Sequence, residues 1–139
     1  MFKIKLAFLL AMSAVLLVSC GINKSAQTNT VKADCKEISG KTNIRIKNNS
    51  QYTLENVTVT PSEQKINFGK LEKGTYSCYH SFEKAYRYAY VKVTIEGKEY
   101  ELTPIDYVGE KELGAGSFTY VLEVDKSNEY APLKIKLEN

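Results

Sequence analysis

The sequence has no tryptophan and only one histidine, His80, among its 139 residues. A single imidazole excludes the histidine clusters that hold catalytic or structural zinc and leaves little choice for a histidine general base. No apolar run reaches the roughly 20 residues that a membrane-spanning helix requires. The chain also lacks a clustered basic stripe, which argues against a nucleic-acid-binding protein.

An apolar stretch near the start predicts a secretory signal. Lys3 and Lys5 give a short basic start, and residues 6–18 are almost wholly apolar. Small residues then precede a cut site, which is the order found in signal peptides that are removed from the mature protein. We therefore expect residues 1–19 to be a signal peptide and the chain to leave the cytoplasm.

This stretch ends in Leu17-Val18-Ser19-Cys20, followed by Gly21. The segment resembles the lipobox of bacterial lipoproteins, in which a lipid is attached to the cysteine thiol and a dedicated peptidase cuts just before that residue. The resemblance implies a cell-envelope protein anchored in a membrane through fatty acids, such as palmitate, on Cys20. Because Gly21 stands where inner-membrane lipoproteins often carry aspartate, it also implies the outer membrane, if the bacterium has two membranes. The alternative is an ordinary signal peptide with a chance cysteine.

The rest of the chain divides into a tether and one domain. Loss of residues 1–19 would remove two lysines and no acidic residue, so the formal net charge would fall from +3 to +1. This near balance gives no reason to expect attraction to nucleic acid or to an anionic membrane. Residues 20–36, the lipidated cysteine and a polar stretch without periodicity, predict a flexible tether. Residues 37–139 are then one folded domain.

The predicted domain alternates apolar and polar residues, as half-buried β-strands do. Turn signals such as Asn48-Asn49-Ser50 and Lys73-Gly74 separate the alternating segments. The longest predicted strand covers residues 86–96, and the last covers residues 133–137. About seven or eight short strands in roughly 100 residues predict an all-β fold, an antiparallel β-sandwich.

Three segments look like parts of bacterial immunoglobulin-like modules. IKNNS at residues 46–50 and LENVTV at residues 54–59 resemble the opening strands of such modules, and FGKLEKGTYS at residues 68–77 is similar to the glycine-bearing turn that follows. The resemblance implies an immunoglobulin-like sandwich with an adhesion or adaptor role. The remaining strands depart from that pattern, and without tryptophan there is no Cys-Trp-Cys core.

Two cysteines remain once Cys20 carries a lipid, namely Cys35 and Cys78. Export permits a disulfide between them. However, Cys35 lies in the predicted tether, and Cys78 falls on the apolar face of a predicted strand, where a free cysteine packs as a small hydrophobe. Both states remain open on sequence alone.

No combination of residues predicts catalysis. His80 shares a predicted strand face with Cys78, but side chains two positions apart on a strand are roughly 7 Å apart, too far for direct proton transfer. The acidic residues Asp106, Glu110 and Glu112 lack the spacing of a calcium loop and are expected to be solvated. We therefore expect no enzyme activity, no metal and no cofactor.

Tyrosine is the unusual component of the predicted mature chain, which holds all ten tyrosines but only three phenylalanines. Tyr86, Tyr88 and Tyr90 alternate along the longest predicted strand and would face away from its aliphatic side, with Lys92 continuing the row. Such a row can bind sugar rings or a protein partner, or it can be an aromatic ladder with a purely architectural role. We predict a candidate binding surface of Tyr86, Tyr88, Tyr90, Lys92 and Tyr107.

Together these patterns predict a lipid-anchored, non-enzymatic binding or adaptor module for an envelope protein or a glycan, with no nucleic-acid partner. One alternative is a structural or assembly subunit that pairs with another chain through a sheet edge, such as residues 133–137. Another is an inhibitor of an envelope hydrolase that acts through the glycine-bounded loop of residues 109–116.

Overall fold

The structure is a computed structural model that describes residues 35–105 and 109–139. The predicted signal peptide, Cys20 and most of the predicted tether lie outside the described residues, as does Tyr107 of the candidate binding surface. Within these two ranges, no helix is long and apolar enough to cross a membrane.

The described residues form eight β-strands and no helix. The strands are β1 (Thr42–Asn48), β2 (Glu55–Thr60), β3 (Ile66–Asn67), β4 (His80–Phe82), β5 (Tyr90–Ile95), β6 (Lys98–Leu102), β7 (Gly116–Val124) and β8 (Leu133–Glu138). They make two four-stranded sheets: sheet A in the order β4-β1-β7-β8 and sheet B in the order β3-β2-β5-β6. The prediction of an all-β, sandwich-like fold is confirmed.

One strand pair departs from the antiparallel sandwich that the sequence predicts. β1 runs parallel to β7, from Thr42 opposite Gly116 to Asn48 opposite Leu122. The other strand pairs of the described residues are antiparallel, so sheet A is mixed. Alternation along a sequence cannot reveal strand direction, because a strand buries the same face whichever way its neighbour runs.

The apolar core lies between the two sheets and contains every second residue of the central strands. Its fully buried members include Ile44, Ile46, Val57, Val59, Val91, Val93, Ile95, Tyr120 and Leu122. Removing apolar surface from water stabilises the fold by roughly 25 cal/mol per Å². The intervening residues of each strand are left on the two outer faces, where a binding partner can reach them.

The tyrosine segment begins its strand later than the alternation predicts. β5 starts at Tyr90, so the prediction of one strand over residues 86–96 is wrong for its first part. Tyr86 and Tyr88 lie in an irregular segment before β5, anchored by the buried residues Ala85 and Ala89. Small apolar residues and tyrosines still alternate in the sequence of this segment. The alanines, and not the tyrosines, pack against the core.

A two-residue turn joins β5 to β6, as the sequence predicts at Gly97. Ile95 pairs with Lys98, and the two residues between them, Glu96 and Gly97, have φ angles of 50° and 79°. Positive φ at both central positions is the requirement of the tight turn that matches the twist of a hairpin. The hairpin fixes which residues of β6 face outward beside β5.

Candidate functional site

The structure places the three predicted tyrosines in different surroundings. Tyr90 lies on the outer face of sheet B, whereas Tyr88 is 41% exposed beside β6 and β8. Tyr86 is half-buried and lines another groove with Ser62, Glu63, Lys84 and Glu110. No described residue lines both grooves, so Tyr86 and Tyr88 border two separate grooves.

Tyr90 and Lys92 are held on sheet B by carboxylates of β6. Lys92 Nζ lies 2.9 Å from Glu99 Oε1 and 3.7 Å from Glu101 Oε1, and the hydrogen bond to Glu99 raises the pKa of Lys92. Burial, together with a hydrogen bond to Glu101, raises the pKa of the Tyr90 hydroxyl. Tyr90 and Lys92 therefore belong to a ladder of polar contacts between β5 and β6. For these two residues the contacts favour the architectural role over the binding role.

Tyr88, by contrast, borders an apolar groove of about 250 Å³. Its apolar lining residues are Tyr88, Leu102, Pro104, Ala131, Leu133 and Ile135. Within residues 35–105 and 109–139, β6 and β8 are the last strands of their sheets, and the groove lies beside both of these edge strands. The exposed tyrosine ring beside an apolar groove can receive an apolar side chain from a partner.

The loop of residues 109–116 is held against the domain by backbone contacts. Leu113 N donates to Ala85 O at 2.9 Å, and Gly116 N donates to Lys41 O at 3.0 Å. Thr42 Oγ1 donates to Gly114 O at 2.6 Å. These bonds give the second half of the loop a structural role in closing the end of the sandwich.

A cation–aromatic cluster on the outer face of sheet A was missed by sequence reasoning. Arg45 Cζ lies 4.4 Å from the ring centre of Tyr76 and 5.0 Å from that of Tyr79. Lys47 Nζ lies 5.5 Å from the Tyr76 ring centre, and Tyr76 is 46% exposed. The ring faces attract these cations electrostatically. Arg45 and Lys47 alternate with core isoleucines, but their aromatic partners lie some thirty residues away and give no local signal.

Arg45 and Lys47 have no carboxylate partner in the described part of the chain. The Nε atom of Arg45 donates to Thr119 Oγ1 at 3.0 Å. The ion pairs found within residues 35–105 and 109–139 involve other lysines. No carboxylate of residues 35–105 or 109–139 neutralises these two cations, which can therefore attract an external anion.

The two outer faces of the sandwich carry opposite charge. The strands of sheet A place four cations outward, Arg45, Lys47, Lys134 and Lys136, with two carboxylates, Glu123 and Glu138. Sheet B places Lys92 outward with three carboxylates, Glu55, Glu99 and Glu101. A net charge close to zero therefore conceals a basic face and an acidic face, which composition cannot show.

Cys35 and Cys78 form a disulfide, with their Cα atoms 4.4 Å apart. β4 begins at His80, so the prediction that Cys78 lies on the same strand as His80 is wrong. The disulfide leaves Cys78 without a thiol to act with His80, whose ring packs edge-on against Phe68 at 4.8 Å. Burial lowers the pKa of His80.

The described residues contain no group of three or more histidine, cysteine, aspartate or glutamate side chains that could hold a metal ion. Of the three acidic residues considered for calcium, Asp106 lies outside the described ranges. Glu112 Oε1 lies 3.4 Å from Lys84 Nζ. That carboxylate is therefore engaged by a surface ion pair.

No protein-family model matches the chain, and no curated protein matches it either. A similar solved structure is described as "NMR structure of the protein from Eubacterium rectale". It is 18% identical, and the match covers 71% of this chain and 87% of that chain, with a TM-score of 0.46.

Proposed function

We propose that this protein is a lipid-anchored lipoprotein of the cell envelope whose sandwich domain is a non-enzymatic binding or adaptor module. The lipobox-like segment ending at Cys20 and the polar stretch after it support the anchor. The Cys35–Cys78 disulfide supports an exported location, because such bonds persist in oxidising compartments. By the same lipoprotein pattern, Gly21 favours the outer membrane, if the bacterium has two.

The finer fold that we infer is immunoglobulin-like. Successive strands change sheet after β1, β3, β4 and β6, and crossings of this kind are typical of Greek-key sandwiches. Architectures of this class host many functions. The fold therefore supports a binding role only together with a particular surface.

The surface that carries the binding role is the Tyr88 groove, defined by the six apolar lining residues named above. A large, rigid ring beside a concave apolar site is the usual anchor of a protein interface. The scarcity of polar groups in the lining favours an apolar side chain of an envelope protein over a sugar, which needs directed hydrogen bonds. We therefore assign the groove to an envelope protein partner.

The sheet-edge alternative uses the same side of the molecule. β8 is the last strand of sheet A in the described part of the chain, and another strand could extend its edge. Lys134 and Lys136 alternate on the outer face of β8, and charged lysines on an edge strand discourage such pairing. The groove is therefore the preferred contact, and the β8 edge is the second candidate.

Replacement of Tyr88 by serine tests the groove. A photoreactive phenylalanine analogue at Ala131, inside the groove, should give a discrete adduct with an envelope protein in living cells. Loss of an interface anchor typically costs about 2 kcal/mol or more, so Tyr88→Ser should reduce that adduct at least about tenfold. Because Tyr88 is partly exposed, the urea midpoint should change little.

Tyr130→Ser is the matched control, since Tyr130 is 99% exposed and does not line the groove. It should leave the Ala131 adduct unchanged. An adduct that survives Tyr88→Ser at full yield, or one that Tyr130→Ser reduces equally, would show that the groove is not the binding site. Loss of the adduct on blocking the β8 edge alone would favour strand pairing.

A further inference from the structure

We propose that the outer face of sheet A docks on the anionic phospholipid surface of the membrane that holds the anchor. The contact is a docking face formed by Arg45, Lys47, Tyr76 and Tyr79. This inference rests on the proposed lipid anchor and adds a second, membrane-facing surface to the domain, separate from the Tyr88 groove.

The contacts of Arg45 hold its guanidinium in a position suited to binding a phosphate group. Its guanidinium lies against two tyrosine rings, and this stacking limits the freedom that the side chain would otherwise lose on binding. Among the described residues, Nε alone has a hydrogen-bond acceptor. The two terminal nitrogens can therefore donate to phosphate oxygens as a pair, the geometry that arginine uses for phosphate.

The surroundings of Arg45 suit the boundary between water and lipid. Tyr76 is exposed, and tyrosine rings are common at the level of lipid headgroups. Val121 lies between Lys47 and Lys136 in the sheet register and is buried although it belongs to the outer face. Lysine stems can cover such an apolar residue while the ammonium groups stay in solvent, where lipid phosphates would meet them.

The disulfide determines where the tether leaves the domain. Cys78 lies between Tyr76 and Tyr79 in the chain, and Cys35 is bonded to it. The tether therefore ends beside the docking face. A flexible tether of roughly 15 residues, as the sequence predicts between Cys20 and Cys35, would span about 20 Å on average, and the membrane would then stay within reach at a high effective concentration.

A second copy of the chain is the competing occupant, because the outer face of sheet B is acidic. Two of its three carboxylates, Glu99 and Glu101, already pair with Lys92. Anionic lipid headgroups have no such internal partner, and the tether holds them close. Charge and proximity together favour the membrane.

The absence of tryptophan makes a clean reporter possible. The Tyr76→Trp variant of the lipidated mature protein is reconstituted in vesicles of phosphatidylcholine containing about one third phosphatidylglycerol with brominated acyl chains. We expect a blue-shifted emission, quenched at least about twofold relative to vesicles of phosphatidylcholine brominated to the same extent. About 0.5 M salt should reverse the effect by screening.

Two controls test which part of the domain contacts the membrane and whether the contact requires the charges of Arg45 and Lys47. The Tyr130→Trp reporter, on the segment between β7 and β8, should show no quenching in either kind of vesicle. Adding Arg45→Gln and Lys47→Gln to the Tyr76→Trp variant should lower the docking equilibrium about 25-fold, since each cation near an anionic surface contributes about fivefold. Lys65→Gln with Lys98→Gln, an equal charge change elsewhere, should not.

Equal quenching in both lipid mixtures, equal quenching of both reporters, or quenching that survives high salt would overturn the docking face. Concentration-dependent self-association that Glu99→Gln and Glu101→Gln abolish would assign the face to a second copy instead. Salt-sensitive retention on an anionic polysaccharide, without vesicle docking, would assign it to a glycan. Mass analysis before reconstitution separates the two proposals: a lipid on Cys20 without docking contradicts only the docking face, and no lipid contradicts the anchor.

Discussion

Asn48→Asp should destabilise the domain by about 4 kcal/mol at pH 7, although it replaces one nitrogen by one oxygen. Asn48 is fully buried. Its Nδ2 donates to Tyr52 O at 2.7 Å and to Leu71 O at 3.0 Å, while its Oδ1 accepts from the Ser50 backbone N–H and hydroxyl. A carboxylate cannot donate to either carbonyl, and each buried group left without its partner costs about 1–3 kcal/mol.

The loss should depend on pH in a definite direction. The two facing carbonyl oxygens and burial would raise the pKa of the introduced carboxyl above its unfolded value of about 4. The variant's deficit relative to the parent therefore grows as pH rises above about 4 and shrinks towards lower pH. Urea unfolding of both proteins at pH 4.5 and pH 7 measures the difference in their free energies of unfolding at each pH.

Asn67→Asp is the matched control for this prediction. Asn67 is exposed, and its Oδ1 accepts from Gly69 N at 2.8 Å, a bond that a carboxylate also accepts. We expect a change within about 0.5 kcal/mol. If Asn48→Asp cost no more than Asn67→Asp, or if its cost did not vary with pH, the buried amide would not hold the two carbonyls.

Loss of the Cys35–Cys78 disulfide should lower the free energy of unfolding by about 4 kcal/mol. The bond joins residues 43 positions apart, and the chain-entropy model assigns about that value to a closed loop of this length. Cys35→Ser, Cys78→Ser and the double variant should be equally destabilised, because each removes the same bond. Urea midpoints and unfolding slopes measure the difference.

A reductant gives an independent comparison. It should shift the parent protein's urea midpoint towards that of the double serine variant, which itself should not respond. A parent that unfolds at the same urea concentration with and without reductant would show that the cysteines are not bonded in the folded domain. The tether would then not be fixed beside the docking face.

Much of the fold could be predicted because its core follows a two-residue period. Ile44 and Ile46, like Val91 and Val93, alternate with polar residues in the sequence and are buried in the structure. The turn at Gly97 could be predicted because few other residues adopt its backbone conformation. These features depend only on neighbouring residues.

Features that depend on distant residues could not be predicted. The parallel pairing of β1 with β7 joins segments more than seventy residues apart. Asn48 has the sequence signature of a turn residue, yet it lies at the buried end of β1 because carbonyls of residues 52 and 71 surround its amide. Local chemistry identifies the turn but not the distant acceptors.

The same limit applies to the candidate site. Tyr86, Tyr88 and Tyr90 alternate in the sequence whether the backbone is a strand or an irregular segment. The alternation therefore could not show that the three side chains have different surroundings. The cluster of Arg45 with Tyr76 and Tyr79 could not be predicted without knowing that β1 pairs with the chain before β4. Among the described members of the predicted surface, Tyr88 alone is both exposed and beside an apolar groove.

The proposed lipid anchor on Cys20, on which the docking face depends, is tested most directly by mass spectrometry of the protein from cells grown with an isotope-labelled fatty acid. We expect a membrane-bound chain that begins at Cys20 and carries the label on that residue. An unlabelled chain in the cytosol that still carries residues 1–19 would contradict the anchor and the function proposed from it.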